Sequence, residues 1–349
     1  MDAVRNDTLI ARKRVRLADL ARETGVTIPT VSYVLRNRAR VMRISVELEK
    51  RIKTAAQQLG YRPNLLARSL ITRRSMTIGV LVANLGESFY PAVMAQLHRR
   101  LRPHGYLLLF GNHYMDPKLF LEEVDALWQR SVDAIVLGPV PDPVQTDRGI
   151  RGLAAQGPVL AFEWVHPSLD SVLNRADSLG KAAADYLWKK GVRKPLAISL
   201  MEGGELAHGL NTVIQKRLDS FRKHYIGRPG GKPIIWKCAS AESLAARLQE
   251  GLARNALKRF DGFLLAHTAS AECFLSAALL LQDERILKAP TLAISGEQRL
   301  AHLRAQMAVL YQNPLTLADC LAAKILARIK KSRRKPDVCD IPAELHERA

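Results

Sequence analysis

Residues 17–36 read LADLARETGVTIPTVSYVLR, a stretch that predicts two short helices joined by a tight turn. The residues that would form one face of the first helix recur at helical spacing, at Leu17, Leu20, Ala21 and Thr24. Gly25 follows, where a helix needs a residue that tolerates positive φ in order to end. Thr27 can cap a second helix, and Pro29 falls in its first turn, where a missing N–H does no harm. This pattern is typical of a helix-turn-helix.

The second and third helices complete a small three-helix unit. The second would bury Val31, Val34 and Leu35, and small Ala21 would let it approach the first closely. A third helix is predicted from about Val46 to Leu59, with its inner face at Leu48, Ile52, Ala55 and Leu59, and Gly60 ends it. We therefore predict a helix-turn-helix headpiece over residues 1–60.

The net charge is concentrated near the N-terminus. The chain has 349 residues and a formal net charge of +20. Residues 1–76 hold 17 Lys and Arg against 6 Asp and Glu, a net +11, although they are only about a fifth of the chain. A solvated basic tail would lack the periodic apolar spacing seen here. A folded, basic unit of this kind attracts polyanions and favours DNA as its partner.

Residues 61–75 are predicted to be a hinge helix and linker. The stretch YRPNLLARSL, residues 61–70, allows Asn64 to cap a short helix that carries Leu65, Leu66 and Leu70. Such a helix is too short to be stable in isolation. We expect it to fold only in a complex.

The motifs TVSYVL (residues 30–35), LGYRPNLLARSL (59–70) and TIGVLV (77–82) closely resemble the lactose-repressor (LacI) family of bacterial transcriptional regulators. The resemblance implies a homodimer on a pseudo-palindromic DNA operator, with the second helix in the major groove. It also implies that paired hinge helices push Leu70 between base steps in the minor groove. The DNA-binding candidates are Thr27, Ile28, Pro29, Thr30, Ser32, Tyr33, Arg36, Asn64, Arg68 and Leu70.

The base-reading positions of that family depart from its usual pattern. They correspond here to Ile28, Pro29 and Tyr33, and many members have a polar residue or Arg at the last of these. Ile and Pro cannot make bidentate contacts to bases. Base readout is therefore expected to depend on Tyr33, apolar contacts to thymine methyls and Leu70, with Thr30 and Ser32 holding phosphates.

Residues 76–349 alternate short apolar strands with helices, beginning with MTIGVLVAN at Met76. This alternation predicts an α/β domain of doubly wound parallel sheets. The family resemblance implies a two-lobed, periplasmic-binding-protein-like domain that binds effector and dimerises. It also implies three crossings between the lobes, which we place near Ser168–Leu173, Met307–Asn313 and Lys331–Pro336. A cleft is expected at the carboxyl ends of the strands.

Five effector-binding candidates follow predicted strands at that cleft, Phe89, Glu163, Trp164, His267 and Glu297, and a sixth, Arg217, lies in a predicted helix. Arg217 begins RLDSF, which is similar to an R-L-x-G-F segment whose Arg commonly binds effector in the family. Where many members have Asp-Asn and Asn-Asp pairs, this chain has Arg175–Ala176 and His267–Thr268. Arg175, Arg217 and His267 would suit an anionic metabolite, such as a sugar phosphate or sugar acid.

Other classes of protein are disfavoured. The sequence has no G-x-x-x-x-G-K-[ST] or G-x-S-x-G motif and no metal-ligand spacing, so we predict no enzyme, metal or cofactor. With no secretory signal and no membrane-spanning run, we expect a cytoplasmic, nucleoid-associated protein and four reduced cysteines. The leading interpretation is a repressor controlled by a sugar or sugar derivative. The alternative is a constitutive or architectural DNA-binding protein whose sensor domain no longer binds effector.

Overall fold

The computed structural model describes residues 15–63, 69, 72–83, 85, 89–200, 208–254, 256–282, 284–302, 307–330 and 334–347. The chain divides into two compact units, Met1–Arg73 and Arg74–Ala349.

Residues 15–63 of the first unit form three helices: α1 (Leu17–Thr24), α2 (Ile28–Leu35) and α3 (Val46–Gln58). Gly25 ends α1 in the left-handed conformation, at φ 64°, as the sequence predicted. The Thr27 hydroxyl accepts a hydrogen bond from the Thr30 backbone N–H at 3.5 Å and so caps α2. Ser45 caps α3 through the Leu48 N–H. The tight turn and the two caps fix the directions of the three helices.

The core of this unit is small. Leu20, Val31, Val34 and Ile52 are fully buried, and Ala39 from the α2–α3 loop joins them. The prediction that Leu59 faces inward is wrong: α3 ends at Gln58, and the Leu59 side chain is 40% exposed. The predicted hinge residues Asn64, Arg68 and Leu70 lie outside the described residues.

The second unit contains two α/β lobes, which confirms the predicted fold class. The first lobe begins with β1 (Thr77–Val82), α4 (Phe89–Leu101), β2 (Leu107–Asn112), α5 (Pro117–Gln129), β3 (Ala134–Leu137), α6 (Pro143–Gln156), β4 (Val159–Phe162) and β5 (Asp170–Leu173). The second lobe contains α7 (Ala176–Lys189), β6 (Pro195–Leu200), α8 (His208–Ile226), β7 (Ile234–Cys238), α9 (Ala241–Ala253), β8 (Gly262–Leu265), α10 (Thr268–Leu281), α11 (Glu284–Lys288), β9 (Thr291–Ser295) and β10 (Met307–Tyr311). The chain then returns to the first lobe for α12 (Pro314–Ile329) and β11 (Val338–Asp340), and ends in the second with β12 (Glu344–Glu347).

Within the described residues, each lobe is a six-stranded sheet with helices on both faces. The orders are β11-β5-β4-β3-β1-β2 and β12-β10-β9-β8-β6-β7, and every pairing is parallel except that of β10 with β12. Helices α4 and α12 cover one face of the first sheet, and α5 and α6 cover the other. Helices α7 and α8 cover one face of the second sheet, and α9 and α10 cover the other. The central strands are buried on both faces, which explains why their sequences are continuously apolar.

Two of the three crossings lie at or directly after the predicted segments, and the third does not. They lie at residues 173–176, 311–314 and 340–344, between strands and helices of different sheets. The predicted crossing at Lys331–Pro336 is wrong, because α12 and β11 on either side of it both belong to the first lobe. The crossing at residues 311–314 overlaps the predicted segment Met307–Asn313, and the crossing at residues 173–176 begins where the predicted segment Ser168–Leu173 ends.

Two further findings concern a pair of cysteines and the length of the helices. Cys320 on α12 and Cys339 on β11 lie side by side within the first lobe, with Cα atoms 7.2 Å apart, and the expectation of four reduced cysteines stays a prediction. The two residues are 19 positions apart and become neighbours only because α12 packs beside the edge of the sheet. None of the described helices is both long and apolar enough to cross a membrane.

Candidate functional site

The exposed face of α2 carries the predicted DNA-contacting side chains. Ile28, Pro29 and Arg36 are exposed, and Ser32 and Tyr33 are half-buried. The opposite face, at Val31 and Val34, is fully buried and holds the helix on the other two. The Thr27 and Thr30 hydroxyls lie 2.9 Å apart, so they hydrogen-bond to each other. The helix therefore presents an apolar N-terminal end, a phenol and an arginine on one surface.

A basic turn follows α2. Its exposed cations are Arg36, Arg38, Arg40 and Arg43. Asn37 and Arg43 adopt positive φ, at 55° and 53°, which bends the backbone sharply on either side of the turn. Val41 and Met42 between them are exposed, and sequence reasoning did not single them out.

The second unit has a cleft of about 1110 Å³ between its lobes. Trp164, Val165 and His166 line it from the first lobe. Lys181 on α7 and Lys216 and Ser220 on α8 line it from the second. Such a volume is sufficient for a ligand of sugar size. Of the predicted effector residues, Glu163 and Trp164 line this cleft, whereas Phe89, Arg217, His267 and Glu297 do not.

Glu163 occupies a strained and buried position at the end of β4. Its φ is 64°, and only 6% of its surface is exposed. Its carboxylate accepts a hydrogen bond from the Asn174 N–H at 3.1 Å. Burial raises the pKa of Glu163 to about 7, and the Asn174 hydrogen bond and the charge of Arg217 oppose this rise. A strained carboxyl group at the end of a strand is typical of a functional position.

Arg217 is a buried cation on α8. It is 4% exposed, and its Nη1 donates a hydrogen bond to the Ala266 carbonyl oxygen. Its Nε–H is buried and has no hydrogen-bond partner among the described residues. Burial lowers the pKa of Arg217 to about 10, and the Glu163 charge opposes this fall. The guanidinium therefore keeps one unsatisfied donor beneath the wall of the cleft.

Asn174 joins the three lobe crossings, a role that sequence reasoning missed. Its Nδ2 donates to the Ile341 carbonyl oxygen at 2.5 Å, and its Oδ1 accepts from Gln312 Nε2 at 3.2 Å. These partners lie 167 and 138 residues away in sequence. Because its N–H also contacts Glu163, Asn174 links the carboxyl group at the cleft to every crossing.

Phe89 and Trp164 are held by aromatic and backbone contacts. The Phe89 ring stacks on Phe162, with centroids 6.1 Å apart, and lies against Gly296 of the second lobe. A Cβ at Gly296 would come within 3.0 Å of the Phe89 ring, so the two lobes meet closely there. Trp164 Nε1 donates to the Leu137 carbonyl oxygen at 2.9 Å, which fixes the indole at the cleft wall.

The other charged candidates are occupied within the protein. Nδ1 of His267 caps α10, and its Nε2 lies 2.9 Å from the Leu200 carbonyl oxygen. Burial lowers the pKa of His267 to about 4, so the imidazole is neutral at neutral pH. Arg175 pairs with Asp177 and Asp340, and Glu297 pairs with Arg299. Within the described part of the chain, no three His, Cys, Asp or Glu side chains come together to hold a metal.

Comparisons with known proteins agree with a helix-turn-helix unit followed by a two-lobed sensor. Residues 16–64 match the family model for bacterial regulatory proteins of the lacI family. Residues 75–349 match the model for periplasmic binding proteins and the sugar binding domain of the LacI family. The second match covers most of the chain, so the protein belongs to the LacI family.

Two individual relatives are 33% and 30% identical to this chain over the aligned residues. The HTH-type transcriptional regulator RegA of Clostridium saccharobutylicum is 33% identical over 120 residues, 34% of this chain and 35% of its own. The ribose operon repressor of Escherichia coli (strain K12) is 30% identical over 177 residues, 50% of this chain and 52% of its own. The chain thus spans about a third to a half of the length of these relatives. A crystal structure of the Lac repressor dimer bound to operator and the anti-inducer ONPF superimposes with a TM-score of 0.80 at 18% identity, covering 96% of this chain and 98% of the other.

Proposed function

We propose that this protein is a sequence-specific, DNA-binding transcriptional repressor whose second unit binds a sugar or sugar derivative. The single observation that carries the proposal is α2, a capped helix with a buried apolar face and an exposed face of Ile28, Tyr33 and Arg36. It lies in a strongly basic unit of the chain, and a two-lobed domain with a cleft follows. Such a regulator would act in the bacterial cytoplasm, on the nucleoid.

DNA readout would divide between the two ends of α2. Ile28 and Pro29 would contact apolar base edges such as thymine methyls, and Tyr33 would contribute the polar contact. Arg36 and the basic turn would hold phosphates, which set the position on DNA but not the sequence preference. We propose that Asn64, Arg68 and Leu70 act in the minor groove, as the family resemblance implies.

We favour a neutral, polyhydroxylated ligand because the residues that suggested an anionic effector are occupied or compensated, although Lys181, Lys216 and Lys223 also line the cleft. Three cations motivated the expectation of an anionic effector, but Arg175 is paired with two carboxylates and His267 is neutral. The remaining cation, Arg217, faces the compensating charge of Glu163. A guanidinium and a carboxyl group together can donate to and accept from sugar hydroxyls. The relative named as the ribose operon repressor is consistent with a ligand of this class.

We propose that a second copy of the chain covers two exposed apolar surfaces. On the edge strand β2, Leu107 and Phe110 are 57% and 43% exposed. On α10, Leu279 and Leu280 are 63% and 84% exposed. A homodimer would present two copies of α2 to a pseudo-palindromic operator. Leu280→Asp and Phe110→Asp are each expected to yield monomers in analytical ultracentrifugation, whereas Leu121→Asp on α5 leaves the dimer intact.

Selection of binding sites from random-sequence DNA tests the proposed function. The full-length protein should enrich a pseudo-palindromic sequence, and a panel of sugars should weaken or strengthen binding to it. Failure to enrich any sequence would contradict the proposal. Enrichment of a sequence without any response to sugars, together with no thermal stabilisation by them, would favour the constitutive DNA-binding alternative.

A further inference from the structure

The second unit also carries a concentration of basic residues, in a segment far along the sequence from the helix-turn-helix. Residues 77–349 hold 36 Lys and Arg against 27 Asp and Glu, a net +9. Of this excess, residues 181–237 alone hold 12 Lys and Arg against 4 Asp and Glu, a net +8. Almost all of the positive charge of this unit therefore comes from one segment of the second lobe.

The fold collects these cations at the amino ends of parallel strands. Strand β6 pairs with β7 and β8, so the loops that precede these three strands lie side by side at one edge of the sheet. Six exposed cations on or beside these loops define a surface that we call the basic pole: Lys189, Arg193, Lys194, Lys232, Lys258 and Arg259. The cleft lies at the opposite, carboxyl ends of the strands, so the basic pole is a separate surface.

The loops of the basic pole are hydrogen-bonded to one another. The Lys232 N–H donates to the Arg193 carbonyl oxygen at 3.0 Å. Both carboxylate oxygens of Asp261 accept from the backbone N–H groups of Arg193 and Lys194, each at 2.7 Å. The Arg193 guanidinium lies 3.8 Å from the centre of the Trp188 ring. The cations are thus presented by a rigid backbone.

The carboxylates near the basic pole bind groups other than its lysines. Asp261 binds the two backbone N–H groups, and Asp185 pairs with Lys181 and Arg228. The pole lysines Lys189, Lys194, Lys232 and Lys258 form no ion pair with any described residue. The six cations outnumber the carboxylate of Asp261, so the surface keeps a net positive charge.

We propose that the basic pole binds the phosphate backbone of double-stranded DNA without sequence preference. Three neighbouring strands are about 4.8 Å apart, so the cations spread over roughly 10 Å or more, as a row of phosphates requires. Lysine is depleted at the centre of protein–protein interfaces, where aromatic side chains are enriched. Here the Trp188 ring is covered by Arg193, and the exposed large apolar side chain beside these loops is Ile226. This chemistry fits a nucleic acid better than an acidic protein.

Salt-dependent affinity for a random-sequence 30-bp duplex tests the proposal with the full chain. The variant Lys194→Glu/Lys232→Glu/Lys258→Glu removes three exposed cations that form no ion pair with a described residue. Because each lost phosphate contact lowers the slope of log affinity against log salt by about 0.9, the slope should fall by about 2 to 3. At moderate salt, the affinity should fall roughly tenfold or more.

A matched variant controls for net charge. Lys118→Glu/Arg130→Glu/Arg148→Glu makes the same change in charge on exposed positions of the first lobe. It should leave the slope and affinity much closer to those of the wild type. In the wild-type protein, the duplex should also protect Lys194, Lys232 and Lys258 from acetylation, but not Lys118. Equal loss of affinity in the two variants, or no protection of the pole lysines by DNA, would overturn the proposal and leave an acidic protein as the candidate partner.

Discussion

The carboxylate of Glu163 accepts a hydrogen bond from the backbone N–H of Asn174, and this contact joins the cleft to the first lobe crossing. The Asn174 side chain then continues to the second and third crossings through Gln312 and Ile341. A ligand that displaces Glu163 would therefore act on all three connections between the lobes. This arrangement gives effector binding a direct physical route to lobe movement, provided that the ligand has different affinities for the two states.

Glu163 makes the stability of the sensor unit dependent on pH. Its pKa is raised to about 7 in the folded protein, against 4.5 as the ordinary value. The folded state therefore holds a proton between pH 4.5 and pH 7 that the unfolded state has lost, so this group's contribution to stability declines as pH rises through that range. The contribution that is lost is at most about 3 kcal/mol.

The variant Glu163→Gln should lose this dependence. We expect the wild type to lose stability relative to Glu163→Gln as pH rises from 5 to 8, measured by thermal unfolding. The difference between the two proteins is the informative quantity, because the buried histidines His113 and His267 titrate in both. Glu297→Gln, at a half-buried carboxylate paired with Arg299, serves as the control and should follow the wild type. Parallel curves for the wild type and Glu163→Gln would show that Glu163 titrates normally.

Asn174→Ala should destabilise the second unit. It leaves the Ile341 carbonyl oxygen and the Gln312 amide buried without their partners, at a cost of about 2–4 kcal/mol. Trp fluorescence during urea unfolding reports on this unit alone, because all four tryptophans lie beyond residue 74. Gln215→Ala, which removes a side-chain amide on α8, should change stability by no more than about 0.5 kcal/mol. A similarly small effect for Asn174→Ala would contradict the role of Asn174 as the link between crossings.

Tyr33→Ala and Arg36→Ala should separate sequence preference from charge. Loss of the Tyr33 side chain should relax base preference with little change in the salt dependence of binding, whereas loss of Arg36 should lower the salt slope by about 0.9. Binding to the selected operator and to its single-base variants, measured across salt concentrations, distinguishes the two effects. Identical salt slopes for the wild type and Arg36→Ala would remove Arg36 from the phosphate contacts.

The sequence predicts features that depend on local spacing. Gly25, Thr27 and the apolar faces of α1 and α2 lie within twenty residues, so the headpiece could be predicted from its helical period. The alternation of strands and helices predicted the two lobes for the same reason. Leu59 was misplaced because the period of α3 was extended one residue beyond its end.

Features that depend on distant pairs could not be predicted. Asn174 meets partners more than 130 residues away, and no periodic pattern marks such a contact. The last crossing was placed at Lys331–Pro336 instead of residues 340–344, because no local pattern marks which sheet a strand joins. The pairing of Arg175 with Asp340 and the use of His267 as a cap also became visible only in three dimensions. These contacts are the reason that we propose a neutral sugar in place of an anionic effector.

Arg217→Ala should abolish the response to effector and preserve binding to DNA. The guanidinium is buried, its Nε–H has no partner among the described residues, and it faces the charge of Glu163. A sugar hydroxyl that accepts from Arg217 and donates to Glu163 would satisfy both groups, so removing Arg217 should weaken sugar binding by tenfold or more, the effect of about 1.4 kcal/mol. Operator affinity should stay within about twofold, because the helix-turn-helix lies in the other compact unit.

Arg222→Ala, at an exposed position on the same helix, is the matched control and should behave as the wild type. Calorimetry with neutral sugars, sugar phosphates and sugar acids measures the effect and identifies the ligand class. Undiminished binding of a neutral sugar to Arg217→Ala would show that Arg217 is a structural cation, and tight binding of sugar phosphates alone would restore the anionic effector.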